Sequence, residues 1–168
     1  MNIDHSKIEY LRKIVDLASS IKINPTKSLL LQALDLPSSQ SLVIQMGNRL
    51  EDFWNFVIEK NSTFLDTSKS TRQIDLAWKS NSCNYYAESK CNWDLDSDKF
   101  PATVQKIEEQ AELLNAVGIC FCPVTDKDMV VRNHQIRGVD WIIECLEVTA
   151  FTSEDYFKWL RSDVKQVI

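Results

Sequence analysis

Three residues on two strand-like runs carry the chemistry open to this chain: Asp75 in QIDLAWK, and Glu88 and Lys90 in NYYAESKC. Alternate side chains of a strand share a face, so Glu88 and Lys90 point the same way by spacing alone. A short polar turn, Ser80 to Cys83, separates the two runs. If they pair through it, Lys79 faces Asn84, and counting back sets Asp75 opposite Glu88. Opposed residues hold their Cβ atoms roughly 4.5–5.5 Å apart. Two carboxylates at about 4 Å repel by roughly 4 kcal/mol at an effective dielectric of 20, so the pair calls for a cation or a shared proton. A divalent metal with oxygen ligands answers that most simply. The ordinary alternative is that the three residues are the solvent face of a hairpin, where Glu and Lys alternate freely.

The elements that must position these residues follow from periodicity. Residues 4–20 place Ile8, Leu11, Ile14, Val15 and Ala18 at helical spacing behind Asp4, and a shorter helix at about 27–34 precedes Pro37. A longer helix opens at Ser38-Ser39-Gln40 and runs to about Lys60, with Val43, Met46, Leu50, Phe53, Trp54 and Val57 as its apolar stripe. Glu51 falls at the border of that stripe, from which it can reach the edge of a neighbouring sheet; the plainer reading is a solvated helix charge. Gly47, one turn earlier, would let a backbone or ligand approach. The paired strands are expected at about 72–79 and 84–92. Pro101 suits the first turn of a helix to about Ala116, with Val104, Ile107, Ala111 and Leu114 inward and Gly118 just past its end. VGICFCPV reads as a strand buried on both faces, and the helix before it implies a crossover to a parallel neighbour. The chain then reads as polar and irregular through TDKDMVVRNHQIRG, with at most a short strand at Met129 to Val131. Val139, Ile142, Ile143 and Leu146 repeat as a helix face, and a last helix follows Thr152 and Ser153, packing Tyr156, Phe157, Leu160 and Val164.

Glu51 on the preceding helix, Ile74-Asp75 in one strand and Glu88-Ser89-Lys90 in the next together resemble the PD-(D/E)xK nuclease superfamily, over roughly residues 43–124. Within it the likeness is to the small type II restriction endonucleases. Ile74 stands where the family often has proline. The resemblance implies an α/β fold, a restriction-endonuclease-like core with a mixed central sheet flanked by helices. It implies that Asp75 and Glu88 hold Mg²⁺, with the Ser89 carbonyl as an extra ligand and Glu51 completing the shell directly or through water. Lys90 would orient or deprotonate the attacking water and offset the growing charge on the phosphorane. The partners implied are double-stranded DNA and a second copy of the chain, a two-fold protein matching a two-fold site. A Holliday-junction resolvase of the same superfamily, a non-catalytic DNA-binding or assembly subunit, and an interaction protein without a nucleic-acid role are the rival readings.

Substrate contacts are expected from Arg132, Asn133, His134, Gln135 and Arg137, since Arg pairs with guanine and Asn or Gln with adenine in the major groove. Lys79, Lys99, Lys106 and Lys127 suit backbone phosphates. Asp94, Asp96 and Asp98 form an acidic turn that lacks the glycine and closing glutamate of a calcium loop. His5 and His134 are too far apart in sequence to suggest zinc, and Cys145 reads as a helix residue facing the core.

Composition bounds all of this. The chain has 168 residues, 44% hydrophobic, enough for one ordinary core, so a single nuclease domain over 1–168 is expected, with recognition and dimer elements at about 125–168 and 1–40. No apolar stretch approaches the roughly 20 residues of a membrane span, and MNIDHSKIEY lacks the core of a signal peptide, so a cytoplasmic protein is expected. Five cysteines then read as buried reduced thiols. The net charge of −5 counts against a nucleic-acid partner unless basic residues cluster locally.

Overall fold

The computed structural model describes residues 40–160 apart from 96 and 159, with side-chain surroundings from Leu50 onward and at Ile44, Gly47 and Asn48. The helices expected at 4–20 and 27–34, and with them His5, lie outside the described residues, as do Val164 and Asp96.

The long helix forms as the apolar spacing dictates. It runs Gln40–Asn61 (α1) and buries Leu50, Phe53, Trp54 and Val57 completely. Strands β1 (Leu76–Ser80) and β2 (Cys83–Ser89) follow as an antiparallel hairpin. Lys79 pairs with Asn84 and Leu76 with Ala87, so the register read from the turn is the observed one. The turn explains it: Asn81 and Ser82 both take positive φ, 50° and 66°, the two-residue geometry whose twist matches a hairpin. Both strands are shorter at their open ends than the expected 72–79 and 84–92.

Helix α2 (Lys99–Leu113) then carries the chain back to β3 (Val117–Phe121), which pairs with β2 in parallel, as a crossover connection requires. Asn115, at φ 49°, takes the left-handed position beyond the helix, where Gly118 was expected. Gly118 instead lies in β3 under α2, where a Cβ would stand 2.9 Å from Ile107 Cγ2. Its role is close approach of helix to sheet. The expectation of a β3 buried on both faces fails at its start, where Val117 and Gly118 are exposed and burial begins only at Ile119.

The largest departure lies between 124 and 138. The segment read as irregular forms a second hairpin, β4 (Met129–Val131) and β5 (His134–Arg137), around Arg132 and Asn133 at φ 48° and 65°. β5 adds in parallel to β3 through Cys120–Ile136 and Phe121–Arg137. The sheet is therefore mixed and five-stranded, in the order β1-β2-β3-β5-β4. Helix α3 (Val139–Cys145) and a last helical segment, 153–158, complete the described chain. Thr152 and Asp155 cap that segment reciprocally, each side-chain oxygen accepting the other's backbone N–H at 3.1 Å.

Residues bridged across a sheet share a face, which assigns the layers. Glu88, Cys120 and Ile136 lie on the face covered by α2, whose Ile107 and Ala111 crowd Gly118. Phe121 lies on the other, meeting Trp54 of α1 edge-on at 5.7 Å, and Trp78 and Tyr85 pack there against Trp141 of α3. No helix among the described residues is long and apolar enough to cross a membrane.

Candidate functional site

Asp75 arrives at the open end of the hairpin on a loop that is fixed from two sides. Asn55 of α1 donates its side-chain N–H to the Asp75 carbonyl at 2.9 Å and to the Glu51 carbonyl at 3.1 Å. On the other side the buried Gln110 of α2 accepts from Ser70 Oγ at 2.9 Å and from the Thr71 amide at 3.0 Å, and donates to Thr71 Oγ1 at 2.9 Å. Neither Asn55 nor Gln110 stood out in the sequence as a site residue. The signal for Asn55 was available, since asparagine is a poor choice inside a helix unless its amide has work to do elsewhere.

The carboxylate of Asp75 accepts the Ser89 backbone N–H at 3.0 Å, which ties the two strands together beyond the last ladder pair. In an extended strand a residue's N–H and C=O leave the same edge, so the Ser89 carbonyl is directed to the Asp75 side. Glu88 stands beside it, buried, although a charge so enclosed is tolerated only with partners. Its partners are two lysines. Lys106 of α2 reaches both oxygens, Nζ standing 3.3 Å from Oε1 and from Oε2, and Lys90 lies 3.7 Å from Oε1. The face bearing Tyr86 and Glu88 is thus as buried as the face of Ala87, so it is not the solvent face of a hairpin. α2 is the cause.

The carboxylates sense one another. Burial, then Asp75, Asp52 and Glu88, push the Glu51 carboxyl up to about 7. Burial and Glu88 also raise Asp75, against the lowering effect of the Ser89 N–H, Lys106 and Lys90. Burial with Glu88 and Asp75 pushes the Tyr86 phenol up to about 12, and its buried hydroxyl finds no hydrogen-bond partner among the described residues. Glu51, on α1, is thus within electrostatic reach of Asp75 and Glu88. No three His, Cys, Asp or Glu side chains among the described residues close into a metal-holding set. Mg²⁺ makes no such demand, because it retains several waters and is commonly held by one or two carboxylates together with substrate phosphate. Asp75 and Glu88, with a strand carbonyl and the orphan Tyr86 hydroxyl nearby, fit that pattern of donors.

The residues expected to contact DNA separate into groups. Arg132 and His134 gather over Phe100 at the start of α2, at 5.8 and 5.5 Å, next in the chain to Lys99. Asn133 is exposed in the tip of the β4–β5 hairpin. Gln135 and Arg137 both reach Asp128, and Arg137 also covers the Trp141 ring on the face opposite Glu88. Lys127 is engaged with Asp140. Lys79 lies exposed near the closed end of the first hairpin, with its backbone bridged to Thr63. Lys106 is drawn into the site rather than left on the surface. Asp94 and Asp98 are exposed, as expected of an acidic turn. All five cysteines are free thiols, Cys91 and Cys122 being buried.

A groove of about 540 Å³ opens on the other side of Asp75, between the second half of α1 and the outer edge of β1, and includes Asp52, Glu59, Phe64 and Ala77. With three carboxylates in its lining and no lysine or arginine, it repels phosphate. No family model, curated protein or solved structure matches the chain.

Proposed function

We propose that the protein is a Mg²⁺-dependent endonuclease of the type II restriction class, cutting double-stranded DNA as a homodimer. The observation that carries this reading is the meeting, at one end of the first hairpin, of Asp75, Glu88 and Lys90 with Glu51 from the preceding helix. The surrounding order supports it: helix, antiparallel hairpin, crossover helix and parallel strand are what the resemblance implies for a core of this kind.

Asp75 and Glu88 would hold the metal, which when bound polarises the scissile phosphate and lowers the pKa of a water. The chain's own residues then have distinct tasks. Lys90, a third exposed, presents a compact positive charge beside Glu88 that can hold the attacking water and offset charge on the phosphate oxygens. Glu51, half-buried on α1 and within electrostatic reach of Asp75 and Glu88, would complete the metal's shell directly or through water. Asn55 and Gln110 act through Asp75 by fixing its loop. DNA would approach from the side of α2, where Arg132 and Lys99 lie, and away from the acidic groove.

The test is incubation with plasmid and with a four-way junction, in Mg²⁺ or EDTA, beside Glu88→Ala. Discrete plasmid fragments that need Mg²⁺ and vanish in the variant are expected. Cutting of the junction alone would move the assignment to a resolvase, and no cleavage across metals and salt would remove the catalytic reading.

A further inference from the structure

Glu88 is the most enclosed carboxylate of the site, and its nearest cation comes from a residue that the metal reading does not use. Lys106 is 18 residues away on α2, yet its ammonium straddles the carboxylate, equidistant from the two oxygens at 3.3 Å. Lys90 touches the same group less closely, 3.7 Å from Oε1 alone. An ammonium in that position occupies the approach a divalent ion would use to engage both oxygens. It also answers the electrostatic problem that two facing carboxylates create, since Lys106 stabilises the charged form of Asp75 as well.

We propose that Lys106 is a resident counter-ion that competes with the divalent metal for Glu88. It spans both oxygens of Glu88 before metal arrives, and it must leave Glu88 for the metal to enter. Lysine suits this exchange because its charge rides on a flexible stem with three rotatable donors, so the ammonium can swing aside without moving the helix. The side chain is about a quarter exposed, which leaves it a route to solvent or to a phosphate of bound DNA. Lys106 is in this sense a positioning residue, and the inference rests on the assignment of Glu88 as a metal ligand.

Competition has a sign opposite to assistance. Mn²⁺ binding to the full chain, measured by the electron paramagnetic resonance of the free ion, needs no cleavage and no DNA. Lys106→Met, which keeps the length and removes the charge, is expected to bind Mn²⁺ roughly two- to fivefold more tightly than the unaltered protein, the upper part of the range for one partly exposed ion pair. Lys106→Arg, which keeps the charge, is expected to stay near the unaltered affinity. If the Met variant loses its fold by circular dichroism, Lys106→Gln replaces it, retaining a donor beside Glu88 with no charge. Unchanged or weaker Mn²⁺ binding in the folded neutral variant, with binding by the unaltered chain intact, overturns the proposal and leaves the metal reading standing. Absence of Mn²⁺ binding in both folded proteins overturns the metal reading and this inference with it.

Discussion

At the scale of single residues, the site is a crowd of like charges held by a few donors, and its cost falls mainly on Glu51. The folded carboxyl keeps its proton until about pH 7, whereas the ordinary value is 4.5. Between those values the folded chain binds more protons than the unfolded one, so this group's contribution to stability is fully present below 4.5 and is lost as pH rises towards 7. Glu51→Gln removes that loss. In the metal-free protein the variant is expected to be more stable than the unaltered chain near pH 8, on the order of 1–2 kcal/mol after allowing for solvent screening of a half-buried group, and equally stable at the acid end of the window. Urea melts at the two pH values measure it; a variant that is less stable near pH 8 would show that the carboxylate is stabilised where it stands. The residues that make this crowding were legible in sequence, because Glu51, Asp75 and Glu88 are each placed by a local period. Lys106 was legible only as a surface cation. Its contact with Glu88 depends on how α2 lies across the sheet, which no spacing within the helix records.

At the scale of elements, the two hairpins make an instructive contrast. The register of β1 with β2 was readable because the turn between them is short and polar and the flanking runs are strand-formers. The β4–β5 hairpin has a turn of the same kind in Arg132-Asn133, yet HQIR carries no alternation and β4 is three residues long. β5 exists because β3 offers it a ladder, and each ladder partner lies sixteen residues earlier, beyond local reading. α2 shows the same limit from another side: its apolar spacing was plain, but the buried Gln110 on it reads as a polar surface residue. Its three hydrogen bonds to the loop before Asp75 are formed only in the packed chain. Gln110→Ala is expected to lower stability by about 1–3 kcal/mol, the cost of leaving buried donors and acceptors unpaired. A shift in the urea midpoint at unchanged slope is the expected result; no shift would mean that water replaces the glutamine without loss.

At the scale of the molecule, charge decides how the DNA of the proposed function could be met. The net charge is −5 and an acidic groove lies beside Asp75; among the described residues, the cations gathered on the α2 side are Arg132 over Phe100, next in the chain to Lys99, with Lys90 at the site. Few phosphates can then be neutralised. If each protomer contacts about three, the affinity for a short duplex should fall with salt at a logarithmic slope of roughly −3 per protomer, shallow for a DNA-binding protein. Fluorescence anisotropy across a salt series reads the slope, and a value several times steeper would point to cations contributed by residues beyond those described. One helix gives the whole assembly a mechanical property. Lys106 and Gln110 stand one turn apart on the same side of α2, the first gripping Glu88 and the second the loop that delivers Asp75. The helix therefore works as a gauge bar between two carboxylates, one carried by β2 and one by the loop that leads into β1. A single-residue insertion between positions 106 and 110 would turn one grip by about 100° relative to the other and unhitch it, while every strand kept its own register.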